Sequence, residues 1–197
     1  LLPFDNKSEL QVVLDLPRGA SLEETDRVLG EASRRLADLP ELASIQSYAG
    51  TASPFNFNGL VRHYYLRSGP EQGDLQVNLV AKDHRKRASH AIALDVRARL
   101  KGLTLTEGSA LRVVEVPPGP PVIATLLAEI YGPDAETRRQ VASEVRRIFR
   151  SVPFIVDDDD SFGRPAPRVR SRLDQDNLEF HKVEERDAYD TVQALMG

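Results

Sequence analysis

Residues Pro117 to Pro121 read Pro-Pro-Gly-Pro-Pro. No central strand accepts four prolines around one glycine, because each proline lacks the N–H that a ladder needs. The run reads as a stiff, extended connector. It divides the chain into residues 1–121 and residues 122–197, and each side has to build its own packed layers.

Before the connector, "LQVVLDL" (Leu10 to Leu16) reads as a strand with apolar bias on both faces. "PRGAS" follows as a turn, and Ser21 with Glu24 forms an S-x-x-E capping box that opens a helix. Leu29, Ala32, Leu36 and Leu39 continue it as one apolar stripe until Pro40. Ile45 to Ala49 reads as the second strand. "DLQVNLV" (Asp74 to Val80) alternates as a third, with Leu75, Val77 and Leu79 on one face. Ile92, Val96 and Leu100 line a helix from Ser89 to near Gly102, and "LRVVEV" (Leu111 to Val116) is the last strand. The order is β-α-β twice.

Beyond the connector the pattern starts again. Thr125 to Tyr131 reads as a strand and Asp134 as an N-cap. Val141, Val145, Ile148 and Val152 form a helical stripe ended by Pro153. Phe154 to Val156 and Pro167 to Leu173 read as short strands, and Glu184 to Met196 as a final helix. The halves are a weak internal repeat of strand, Pro/Gly turn, capped helix and strand. The expected fold is α+β: two split βαβ (ferredoxin-like) modules, each an antiparallel sheet with helices on one face. The second module lacks a closing strand, so the sequence is expected to stop before that module is complete. The start at Leu1 rather than Met fits a segment of a longer protein.

Composition narrows the function. Hydrophobic residues are 41% and charged residues 28%, a globular balance. No apolar run approaches the ~20 residues that span a bilayer. A net charge of −4 offers no basic surplus, so no nucleic-acid partner is expected. The short runs "HRKR" (His84 to Arg87) and "RVRSR" (Arg168 to Arg172) read as a solvated loop and one face of a strand. Without cysteine there are no disulfides, thiolate metal sites or Cys nucleophiles. His63, His84, His90 and His181 show no zinc spacing, and no nucleophile elbow, P-loop or dinucleotide fingerprint occurs. Asp157 to Asp160 lacks the spacing of a calcium loop and reads as an exposed, mobile strand end. No enzyme, cofactor or metal site is expected.

One stretch does not fit a plain scaffold. "SPFNFNGLVRHYY" (Ser53 to Tyr65) is a loop by its Pro, Asn and Gly content, yet it carries Phe55 and Phe57. Those rings either tuck under the first module or offer adaptable apolar contact to a ligand.

"LPFDNKSELQVVLDLPRGASLEETDRVL" resembles the start of the second large periplasmic loop of resistance-nodulation-division (RND) efflux pumps of the acriflavine-resistance type. In that family an acidic stretch, a strand, LP-G-S/T-x-E-x-T and a helix follow the seventh membrane span. The counterparts are Asp5, Leu10 to Leu16, Pro17, Gly19, Ser21, Glu24 and Thr25. The likeness runs on through "VEVPPGPPV" and "AEIYGPD" to "PRVRSRLDQDNLEFHKVEERDAYDTVQALMG", which covers essentially the whole chain.

The resemblance implies the porter region of a proton-driven inner-membrane homotrimer, on the periplasmic side, working with a periplasmic adaptor and an outer-membrane channel. Residues 1–121 would be the first porter module of the second loop and 122–197 the first part of the next. The family's substrate cleft lies between these modules, lined by a loop after the second strand. By position that loop is Thr51 to Leu60, which puts Phe55, Phe57, Asn58 and Gly59 against small-molecule export substrates, with Tyr48 at the preceding strand end. Heavy-metal exporters of the family use methionine clusters, whereas Met196 is the only methionine here, so organic cargo is expected. The family's proton relay sits in membrane helices, none of which falls in these residues, so this segment binds and does not pump. The alternative is a free-standing α+β interaction module with no transport role.

Overall fold

A computed structural model of the chain describes residues 6–54, 66–115, 126–155, 158–162 and 170–196. The chain divides into two compact units, Leu1–Arg164 and Pro165–Gly197. The expected boundary at 121/122 falls outside the described residues.

The first unit contains β1 (Glu9–Asp15), α1 (Leu22–Leu36), β2 (Leu42–Ala49), β3 (Gln72–Leu79), α2 (Ser89–Leu100) and β4 (Ala110–Val114). The four strands form one sheet in the order β2-β3-β1-β4, antiparallel at every pair. β3 lies between β1 and β2, the two strands that α1 connects, which is the split βαβ arrangement. The expected α+β fold is therefore present.

Alternation puts Leu10, Val12 and Leu14 of β1 on one face with Leu75 and Val77 of β3 and Val113 of β4. Val12 stands opposite Leu75 on one side and Val113 on the other. Val28, Leu29, Ala32 and Leu36 of α1 and Ile92, Ala93, Val96 and Leu100 of α2 close over this face. Each helix presents residues three and four apart, the spacing that keeps side chains on one stripe. Ser21 caps α1 by accepting the Glu24 N–H at 3.3 Å. The return half of a capping box is missing, because Glu24 spends its carboxylate on Arg27. At Gly73 of β3 the helix comes close: a Cβ there would meet Leu29 at 2.7 Å and Thr25 at 2.8 Å.

Past the connector, the described residues form the helix of the repeat but not its strands. That helix is α3 (Ala135–Ser151), capped by Asp134, whose carboxylate accepts from the Thr137 N–H and hydroxyl, each at 2.8 Å. Residues 126–131 are not a strand; Leu126 and Leu127 are exposed, and Tyr131 is 85% exposed. Residues 152–155 make a turn closed by Ile155 N–H to the Val152 carbonyl at 3.0 Å, so the strand expected at Phe154 is absent. Strands exist only where a neighbour completes their hydrogen bonds. No described residue pairs with either segment. The stripe on α3 is only partly covered, with Val141 and Ile148 exposed and Val145 and Val152 half-buried, and Ala142 is the one buried residue of the helix.

The second unit holds α4 (Gln175–His181) and α5 (Glu185–Met196). Residues 170–174 carry no strand, and the rest of that expected strand lies outside the described residues. The final helix is close to expectation. The short α4 was not foreseen; Asp174 caps it, accepting from the Asn177 N–H at 3.2 Å and from Asn177 Nδ2 at 2.8 Å. Among the described residues, no helix is long and apolar enough to cross a membrane.

Candidate functional site

The sheet has a second face, away from α1 and α2. Gln11, Val13 and Asp15 of β1, Asp74, Gln76 and Asn78 of β3, Gln46 and Tyr48 of β2, and Arg112 and Val114 of β4 occupy it by alternation. Such a face is ordinarily solvated. Here Gln11, Val13, Asp74 and Val114 are buried. The described residues reaching it include Ser53 and Arg67, from the chain between β2 and β3, and Asp159.

Tyr48 is half-buried on this face, directly opposite Asp74 in the ladder. Its hydroxyl donates to Gln46 Oε1 at 3.1 Å. Phe55, Phe57, Asn58 and Gly59 lie outside the described residues. The described ends of their connection are tightly held. The Gly50 N–H bonds the Gln72 carbonyl at 2.8 Å, and Gln72 Oε1 accepts from the Ser68 and Gly69 N–H groups at 3.2 Å each. Thr25 Oγ1 donates to the Pro70 carbonyl at 2.6 Å and ties this connection to α1.

Across this face runs a chain of charges that sequence reading did not single out. Arg67 donates to Asp15 Oδ1 at 2.7 Å and to the Leu14 carbonyl at 2.7 Å, and its Nε lies 3.3 Å from Asp74 Oδ1. Arg112 donates to Asp15 Oδ2 at 2.8 Å and to Asp159 at 2.5 Å. Ser53 accepts from Gln11 Nε2 at 3.1 Å, and its N–H points at Asp74 Oδ2 at 3.5 Å. Burial pushes the Asp15 carboxyl up, but Arg67 and Arg112 overcome it and hold the group below the ordinary range. For Asp74 burial wins: the carboxyl is raised, although Arg67 and the Ser53 N–H oppose this. One signal was present in the sequence. Asp74 is a strand-averse residue at the head of an alternating Leu/Val run.

Of the acidic run, Asp157 lies outside the described residues, Asp159 is exposed as expected, and Asp158 and Asp160 are half-buried in ion pairs. Asp158 pairs with Arg146 at 2.6 Å and Arg150 at 2.9 Å, Asp159 with Arg112, and Asp160 with Arg146 at 2.7 Å. Three arginines offset the repulsion that adjacent carboxylates would otherwise relieve by spreading into water. Likewise "HRKR" is not simply solvated. Arg85 holds the Val80 and Lys7 carbonyls, and Arg87 grips Glu41 and Asp95. His90 faces Glu115 at 3.0 Å, and His181 stacks edge-on against Phe180. No group of three His, Cys, Asp or Glu among the described residues is placed to hold a metal ion.

No protein-family model matches this sequence, and no curated protein matches it. Solved structures do share its fold. A heavy metal efflux pump superposes with a TM-score of 0.67 in crystal form II, at 18% identity, over 98% of this chain and 19% of that one. In crystal form I the TM-score is again 0.67, at 19% identity over 96% of this chain and 19% of the pump. The chain thus has the fold of a segment about one-fifth as long as that pump.

Proposed function

We propose that this chain is part of the periplasmic porter region of a proton-driven inner-membrane efflux pump of the RND family, and that it binds drugs or other apolar and amphiphilic compounds rather than catalysing a reaction. The observation that carries the reading is the fold shared with an efflux pump across nearly the whole chain. The ordered motifs from Leu2 to Gly197 support it from the sequence side.

The cargo is proposed to be organic even though the pump of like fold exports heavy metals by its description. Soft metals are held by thiolate and thioether ligands. This chain has no cysteine and one methionine, Met196. The substrate contacts are assigned to Tyr48, Phe55, Phe57, Asn58 and Gly59. Apolar rings that can re-pack serve varied ligands better than a fixed polar site does. The working assembly is a homotrimer with a periplasmic adaptor and an outer-membrane channel.

The test uses the gene that encodes this segment in full. Phe55→Ala, Phe57→Ala and Tyr48→Ala are introduced singly and together, and resistance to a panel of organic compounds and soft metal ions is scored. Loss of resistance to some organic compounds, with metal tolerance unchanged, is the expected outcome. Resistance unchanged for every compound removes the loop assignment. An open reading frame without flanking apolar stretches of ~20 residues removes the pump reading and leaves the free-standing module.

A further inference from the structure

The chain leaves β2 at Ala49 and enters β3 at Gln72, and both sides of that excursion come to one buried carboxylate. From the first side the Ser53 N–H points at Asp74 Oδ2. From the second side Arg67 Nε faces Asp74 Oδ1 as an ion pair. The two sides are not equally dependent on it. Arg67 also bonds Asp15 and the carbonyls of Leu14 and Gly73, the last at 3.4 Å. It would therefore keep its place if Asp74 lost its charge. The Ser53 backbone N–H has Asp74 as its acceptor, and among the described residues the Gln11–Ser53 side-chain bond backs it up.

Asp74 is also an expensive choice. It is fully buried on a strand inside the sheet, and a buried ion pair such as Asp74–Arg67 is often no more stable than a well-packed apolar pair of similar volume. A charge kept there at such cost has to act through what it holds. A hydrogen bond to an ionised carboxylate is roughly twice as strong as one to its neutral form.

We propose that Asp74 is a proton-linked positioning residue: as a carboxylate it holds the Ser53 and Arg67 sides of the β2–β3 excursion together, and on protonation it loosens the Ser53 side while Arg67 stays on Asp15. The groups around it set the balance. Arg67 favours the charged form, with Arg112 of β4 acting at one remove through Asp15. Asp15 of β1 favours the neutral form, and Asp159 draws on Arg112 from the far end. Gln11 and Tyr48 also face the cluster. Burial raises Asp74 above the ordinary aspartate range, against the pull of Arg67. The inference stands on the first unit alone and does not need the transport reading.

The experiment follows the Asp74 carboxyl carbon and the Ser53 amide by NMR in the full 197-residue chain, from about pH 3 to about pH 8, a span that brackets ordinary and raised aspartates. The expected result is one shared midpoint above the ordinary aspartate range. Below that midpoint, Ser53 amide protection, corrected for intrinsic exchange, falls several-fold. Asp74→Asn removes the Ser53 transition. A Ser53 amide that stays unmoved while Asp74 titrates overturns the proposal, and so does the same transition persisting in Asp74→Asn. Should that variant fail to fold, coincidence or separation of the two wild-type midpoints decides. A merely structural Asp74 would change the melting temperature of the variant and leave Ser53 without a transition at the Asp74 midpoint.

Discussion

Gly73 lies directly beneath Leu29. A Cβ on Gly73 would come within 2.7 Å of the Leu29 Cδ1 atom, and within 3.2 Å of the Tyr48 carbonyl on the neighbouring strand. The helix side can yield by a rotamer change; the strand carbonyl has less room to do so. Gly73→Ala should therefore destabilise the first unit by about 1–3 kcal/mol, the usual cost of overpacking. Gly73→Val should cost more. Urea unfolding reads both, and an unchanged midpoint for Gly73→Ala would mean that α1 rides higher than described.

Arg67 is the hub of the buried charges, so removing it strands the Asp74 carboxylate and leaves Asp15 with Arg112 alone. Arg67→Met should cost about 3–5 kcal/mol near neutral pH. The double variant Arg67→Met with Asp74→Leu should cost clearly less, because the fully buried charge goes with its partner. The cost of Arg67→Met should also shrink in acid, where Asp74 takes up a proton. Urea midpoints at two pH values check both statements.

Stability should depend on pH in two opposite senses. Asp15 and Asp158 are both pushed up by burial, yet their arginines bring them below the ordinary range, so the unfolded chain binds their protons more tightly. Their contribution is present above the unfolded pKa, about 4, and is lost as pH falls through their lowered folded values. Asp74 is raised, so its folded form binds a proton more tightly, and stability falls as pH rises through its folded pKa. The melting temperature of the wild type should therefore peak in mildly acid solution. Asp74→Asn should flatten the alkaline side of that peak and keep the acid loss. Superimposable melting-temperature profiles for the two proteins would contradict the assignment.

In the second unit, Lys182 ends α4 in the left-handed region at φ 56° and ψ 40°. The Val183 N–H then reaches back to the Leu178 carbonyl at 2.9 Å. Left-handed backbone costs an L-residue with a Cβ roughly 1 kcal/mol or more, and glycine avoids that cost. Lys182→Gly should slow hydrogen exchange at the Val183 amide, and Lys182→Val should speed it.

The first module was legible because each of its cues is local. Alternation marked Leu75, Val77 and Leu79, the helical stripe marked Leu29, Ala32 and Leu36, and Ser21 marked a helix start; all three stand in the structure. The strands expected at Thr125 to Tyr131 and at Phe154 failed for the opposite reason. A strand is a property of two segments, and apolar alternation in one says nothing about whether the other is at hand. The same limit hid most of the site. Tyr48 could be placed from its strand, but Arg67 and Asp15 meet across 52 positions, and Arg112 and Asp159 across 47. Nothing in the composition of either neighbourhood announces such a pairing. Asp158 and Asp160 of the acidic run were misread because its repulsion was weighed without the arginines of α3 and β4 that offset it.

The closure at the base of the β2–β3 excursion has an evolutionary consequence. Ser53, Arg67, Gly50 and Gln72 tie the described ends of the β2–β3 connection to the sheet. Closing a loop twice as long costs only about 0.6 kcal/mol more. Insertions, deletions and wholesale exchange of the stretch between those ends can therefore be sampled while the strands keep their register. A lineage could change what such a module recognises by grafting alone, one insert for another, on an inherited frame.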